Sequence, residues 1–247
     1  MQAKKMVWFL LHDIVNQCVL ESGANFTFLD VNTDKIFLPL RITDPNPSDC
    51  FFLSLGIGGD ITAEKTLRRK YYRNCRFVGV DPLPETAGIY AKIGKYYLYA
   101  IDKETGAKRL FVLRNWNYVW VNLSTVALDG FLTHTLREPL IHFLAMDIEG
   151  SEHRILTNPS VFSGKDGNTT VCQISAELHG PLKQLMGLND RTASEILLNF
   201  IQKSPFVPIK ALRPGTHQRI GFVNADSVLC LDLLQFEGDK STKAALP

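Results

Sequence analysis

Two short polar runs, each closing an apolar stretch, carry the side chains of this chain best suited to chemistry. Residues 141–146 run Ile-His-Phe-Leu-Ala-Met and lead into Asp147-Ile148-Glu149-Gly150-Ser151-Glu152. Residues 171–176 lead into Glu177-Leu178-His179. In an extended chain, alternation sends Asp147 and Glu149 to one side, and Glu177 and His179 likewise. Three acids at one strand end are costly unless they are paired, solvated or used. Imidazole titrates near neutrality and suits removal of a proton from an acceptor hydroxyl. The catalytic candidates are therefore His179, Asp147 and Glu149. His179 is taken as general base, Glu177 as the group that orients it, and Asp147 as the alternative base. Glu152 has a structural reading at the start of a helix, where the macrodipole favours an acid. Two acids with His179 also make an O,O,N set of the kind that suits Mn or Mg, but no metal is assigned. His12, His134, His142, His153 and His217 have no comparable context and read as surface or core residues.

A second constellation concerns binding. Residues 50–55 form an apolar run that enters Gly56-Ile57-Gly58-Gly59-Asp60, and a helical pattern follows over residues 62–72. Glycines at such a turn let a ligand approach the backbone where Cβ atoms would block it, and a helix start offers free N–H groups to an anionic portion. The next apolar run, 77–80, ends in Asp81, placed to accept the hydroxyls of a ribose. This pattern admits NAD or S-adenosylmethionine. A dinucleotide site calls for a third glycine in G-x-G-x-x-G. Asp60, Ile61 and Thr62 follow instead, which favours methyl transfer over hydride transfer.

The elements that must hold these residues alternate strand and helix. The four apolar runs at 50–55, 77–80, 141–146 and 171–175 suit strands buried on both faces of a parallel sheet. Helices are expected over 62–72 and 192–203, the latter stopped by Ser204-Pro205. Residues 219–223 and 228–234, around Ala225-Asp226-Ser227, read as a closing hairpin. The fold class is α/β, a three-layer sandwich on a mostly parallel sheet.

Composition agrees with one globular domain. The chain has 247 residues, 45% hydrophobic and 21% charged, and its net charge of +2 lacks the basic excess of a nucleic-acid binder. No 18 consecutive apolar residues occur, so no membrane span is expected. Lys4 and Lys5 before an apolar start imitate a signal peptide. His12-Asp13 ends that run without a cleavage site, and Val7, Leu10, Leu11, Ile14 and Val15 fit an amphipathic helix. The five cysteines (Cys18, Cys50, Cys75, Cys172, Cys230) contain no C-x-x-C pair and are expected as free thiols of a reducing compartment. The sequons at Asn25, Asn122 and Asn168 keep a secretory lumen open beside the cytoplasmic default. Three regions are expected: a helical and extended cap over 1–49, the main domain over 50–237, and a frayed tail over 238–247.

With these residues in view, the chain resembles the FkbM-type methyltransferases, class I enzymes that use S-adenosylmethionine, and most closely a nematode branch of that family. The likeness covers about residues 50–235. It runs through Leu55-Gly56-Ile57-Gly58-Gly59-Asp60 with Glu64, then Gly79-Val80-Asp81-Pro82, then Ile93–Tyr97 leading to Ala100-Ile101-Asp102. Ser124–Asp129 is similar to a T-x-L-D element, Met146–Glu152 to the signature D-x-E-G-x-E, and Cys172–His179 to the fifth strand. The glycine loop departs from the D-x-G-A-N-x-G form of bacterial members, since no acid precedes Gly56 and no Asn follows it. The resemblance implies a seven-stranded sheet with its last strand reversed. It implies cofactor contacts from Gly56, Gly58, Gly59, Asp60, Asp81, Ile101, Asp102 and Asp147. It also implies methyl transfer, expected to go to a hydroxyl of a small-molecule or glycan-like acceptor, with specificity in loops such as 181–190. The rival readings are an NAD-dependent oxidoreductase and a binding module that kept the fold without turnover.

Overall fold

The computed structural model describes residues 3–41, 50–114, 117–164, 169–180 and 188–234. The central sheet has seven strands in the order β11-β12-β10-β8-β1-β2-β3. These are β1 (Phe51–Leu55), β2 (Arg76–Asp81), β3 (Lys95–Leu98), β8 (Phe143–Met146), β10 (Gln173–Leu178), β11 (Phe206–Leu212) and β12 (Gln218–Asn224). Neighbours from β3 through β10 are parallel, and β12 runs antiparallel to both β10 and β11. All four apolar runs are therefore strands of one sheet, and the reversed strand is present.

Both faces of the sheet are covered, which is why its strands read as continuous apolar runs rather than alternating ones. On one face Phe51, Leu53 and Leu55 meet Trp8, Leu11 and Val15 of helix α1 (Ala3–Glu21). Leu197 and Phe200 of helix α6 (Asp190–Lys203) join them. On the other face Phe52 sits beside Phe77 and Phe143 across the register, with ring centroids 5.3 and 5.9 Å apart. Phe37, from the extended segment 24–41, closes over this aromatic row at 5.6 Å from Phe52 and 5.4 Å from Phe143. The remaining helices are α2 (Thr62–Thr66, continued as a π turn to Tyr71), α3 (Pro84–Tyr90), α4 (Leu128–Gly130), α5 (Ser151–Leu156) and α7 (Val228–Leu233).

Three expectations are corrected. The apolar stripe of α1 is centred on Trp8, Leu11 and Val15, while Leu10 and Ile14 are exposed. Trp8 decides the orientation, because its indole N–H also donates to Thr216 O at 3.1 Å. Residues 228–233 form a helix, not a strand: the Ser227 hydroxyl accepts from Cys230 N and caps it. The closing hairpin is instead β11 with β12. The cysteines are not all free, since Cys50 bonds Cys75 and Cys172 bonds Cys230, leaving Cys18 exposed and unpaired. Sheet register, not sequence spacing, brings the first pair together. Phe51 lies opposite Arg76, so the residues just before them face each other. Asn25 and Asn122 are exposed, whereas Asn168, residues 181–187 and the tail 238–247 lie outside the described residues. No helix among the described residues is long and apolar enough to cross a membrane.

Strands β4 (Ala100–Asp102), β5 (Gly106–Arg114) and β6 (Asn117–Ala127) make a second sheet. Its long β5–β6 hairpin, of which only the end at Ser124–Ala127 carried a motif, stands over the carboxyl end of the main sheet and helps to wall the cleft described next.

Candidate active site

A cleft of about 460 Å³ opens at the carboxyl ends of β1, β2, β8 and β10. That size falls in the ~300–1,000 Å³ range of small-molecule sites, and the position is where open α/β sheets bind ligands. Gly56, Ile57, Gly58, Gly59 and Asp60 form one wall, Asp81 and Ile101 line it, and Asp147, Glu149 and Glu177 stand at the other end.

The glycine turn has two distinct requirements. Gly56, at φ +78°, is glycine because a Cβ there would lie 1.6 Å from the carbonyl oxygen of Asp147; its role is close packing of strand ends. Gly58, at φ +55°, faces open cleft, with Leu113 4.0 Å from where a Cβ would stand. Asp81 holds this turn in shape. Its carboxylate accepts from Ile57 N at 2.8 Å, Gly58 N at 3.2 Å and Leu83 N at 2.8 Å. Burial raises its pKa, and these three backbone donors oppose the rise. A carboxylate offers about four lone-pair sites, so capacity remains for a ligand hydroxyl. Asp60, just ahead of α2, accepts from Thr62 N at 2.8 Å.

Asp102 stands elsewhere. It is buried beneath the cleft in a pair with Arg154 at 2.6 Å, with Lys108 at 3.2 Å. Expected at the cofactor, it serves instead to fasten α5 to β4.

Asp147, Glu149 and His179 converge, although Glu149 and His179 lie beyond the ends of their strands and alternation along an extended chain does not place Glu149. His179 Nε2 lies 2.9 Å from Glu149 and 3.7 Å from Asp147, and Nδ1 lies 3.2 Å from Glu152. Glu149 reaches this position from a left-handed backbone, φ +55°, a strained conformation of the kind that gathers at functional sites. Glu152 has the helix-start role and more: it accepts from Ile148 N at 2.5 Å and Gly150 N at 2.7 Å, then pins the imidazole. Glu177, expected to orient His179, is taken by Arg219 at 2.7 Å, its partner across β10 and β12.

The electrostatics follow. Burial works against a charged imidazole at His179, but Glu152, Glu149 and Asp147 outweigh it and push its pKa up to about 12. His179 is thus an imidazolium at neutral pH. Asp147 moves the other way from an ordinary carboxyl. Removal from bulk water and then the charge of Glu177 raise it to about 7, although His179 opposes this. Solvent still reaches 42% of its side chain.

Among the described residues two donor sets have their ligand atoms within 4.8 Å of one another, Asp147/Glu149/His179 and Glu177/His179/His217. His179 is common to both. His217 Nδ1 accepts from Gly180 N at 3.1 Å, so its neutral ring carries the proton on Nε2. No ion is assigned to either set.

Sequence reasoning missed four residues here. His217 packs against His179 with ring centroids 4.8 Å apart. Tyr118, from the hairpin, stands near Glu149; burial and that carboxylate raise its pKa to about 12. Lys35 and Arg219 line the cleft as cations. None has a local motif, since each arrives from a distant segment.

The sheet with its reversed strand, the glycine turn after β1 and the acid ending β2 define a class I methyltransferase fold. Residues 17–200 match the family model of the methyltransferase FkbM domain, and the chain belongs to that family. The solved structure of the pyocyanin biosynthetic protein PhzM aligns with 71% of this chain at 10% identity and a TM-score of 0.35. This chain spans half of that protein's length, 50%. No curated protein matches the chain.

Proposed function

We propose that the protein transfers a methyl group from S-adenosylmethionine to a hydroxyl oxygen of a small-molecule or glycan-like acceptor. The observation that carries this reading is one cleft with an open glycine turn and Asp81 at one end and a carboxylate–imidazolium cluster at the other. Gly58 leaves room for the ligand's approach, Asp81 keeps acceptor capacity for a ribose hydroxyl, and Ile101 supplies an apolar contact. The cofactor supplies an electrophilic methyl group on a sulfonium. For the acceptor, Asp147 is the base: its carboxylate, poised near neutrality, takes the hydroxyl proton as the oxygen bonds to the methyl carbon, whose bond to sulfur would break to leave a neutral thioether. His179 is the positive pin that holds Glu149 and Glu152 in place, because its protonated ring has no lone pair for the task.

Calorimetry with S-adenosylhomocysteine and with NADH tests the cofactor. Binding of the first and not the second is expected. Asp81→Ala should weaken it by about 1.5–3 kcal/mol, the worth of hydrogen bonds to a charged group. Binding of NADH alone would return the protein to hydride chemistry.

A further inference from the structure

Residues 32–38 cross the cleft beside the glycine turn, and their path is fixed from both sides. Ile36 N donates to Ser175 Oγ at 2.9 Å, Leu38 N donates to Gln173 Oε1 at 2.7 Å, and Gln173 Nε2 donates back to Leu38 O at 3.2 Å. Asn32 turns the chain at φ +58°, and its amide reaches Thr66 Oγ1 at 3.3 Å. Between these anchors Lys35 is delivered to the cleft wall beside Gly56–Asp60.

The ammonium of Lys35 donates to Glu64 Oε1 at 2.8 Å, an oxygen that also accepts from Ser54 Oγ. Glu64 is buried, and its second oxygen has no partner. Lysine has three donors, and Glu64 is the acceptor found for it among the described residues. Its side chain remains 24% exposed. The other cation lining the cleft, Arg219, is committed to Glu177 and Asp34. Lys35 is the cleft cation delivered beside the glycine turn, with donors beyond its bond to Glu64, and it lies within electrostatic reach of Asp60 and Asp147. A cation set among acids complements a zwitterion, with the ligand's ammonium toward the acids and its carboxylate toward the lysine.

We propose that Lys35, held in place by Glu64, binds the α-carboxylate of the amino-acid portion of the cofactor. This rests on the S-adenosylmethionine reading and assigns one end of that ligand. The test compares S-adenosylhomocysteine with 5′-methylthioadenosine, a nucleoside thioether without the amino-acid group, by calorimetry. Lys35→Met alone strands a buried carboxylate, so it is paired with Glu64→Gln, which removes both charges together. The double variant should bind S-adenosylhomocysteine about 10–100-fold more weakly, the range of a charge-assisted hydrogen bond, and 5′-methylthioadenosine as the wild type does. Equal losses for both compounds, or no loss for either, would overturn the role of Lys35 while leaving the cofactor in place. Wild-type protein that binds neither compound would overturn the cofactor reading, and the role of Lys35 with it.

Discussion

At the scale of single residues, the cluster around His179 separates two duties that one would readily give to a single histidine. Asp147→Asn removes the group placed to take the proton and should lower turnover by roughly 10²–10⁴-fold. Wild-type turnover should rise with pH through about 7, where Asp147 loses its proton. A rate that is flat through neutrality, or an Asp147→Asn protein of normal rate, removes it as base. His179→Ala has another signature, because Glu152 is buried with His179 as its cationic partner. Stranding that carboxylate should cost about 3–5 kcal/mol of stability, read as a drop in the urea midpoint. A His179→Ala protein of unchanged stability but lost activity would restore the imidazole as base. Both pKa values are raised on folding, so both groups stabilise the fold at low pH. The contribution of Asp147 is complete below its ordinary 3.8 and lost as pH rises through about 7. That of His179 is complete below 6.5 and fades toward about 12. Thermal scans from pH 4 to pH 8 should show a decline in wild type that is shallower in Asp147→Asn.

Among the elements, the β5–β6 hairpin has most influence on what can enter. Leu110, Phe111, Val112 and Leu113 line the cleft, and Phe111 stacks on Tyr118 at 5.0 Å and lies 5.2 Å from Trp120. Tyr118 links this hairpin to Glu149, and so to the acceptor side of the site. Tyr118→Phe removes the hydroxyl that stands near Glu149 and should raise the acceptor KM, with S-adenosylhomocysteine affinity intact. An equal fall in S-adenosylhomocysteine affinity would place Tyr118 on the cofactor side. The strands of the main sheet were legible because burial on both faces leaves an unbroken apolar run. The hairpin was not, because it stands out from the sheet and mixes exposed aromatic and charged residues. Residues 228–233 misled for a related reason: a short apolar run has no period that separates helix from strand, and the Ser227 cap decides it.

For the whole molecule, what sequence reveals stops where topology begins to act. Asp147, Glu149 and His179 were visible because each follows its own strand, and parallel neighbours β8 and β10 then bring them together. Lys35 and Arg219 line the cleft from the segment before β1 and the reversed strand, and Tyr118 and His217 come beside the carboxylate and imidazole cluster from the hairpin and the β11–β12 turn; nothing local announces them. The cysteines make the same point. Cys50–Cys75 ties the starts of β1 and β2 across a separation of 25 residues, and Cys172–Cys230 ties the start of β10 to α7 across 58. Each loop closure should be worth about 2–4 kcal/mol through restriction of the unfolded chain. Protein purified without reductant, unfolded and alkylated, should take up one label, at Cys18, and five after reduction. Its urea midpoint should fall when reductant is added. Five labels without reductant would mean that the sheet stands on packing alone and that the thiols are free.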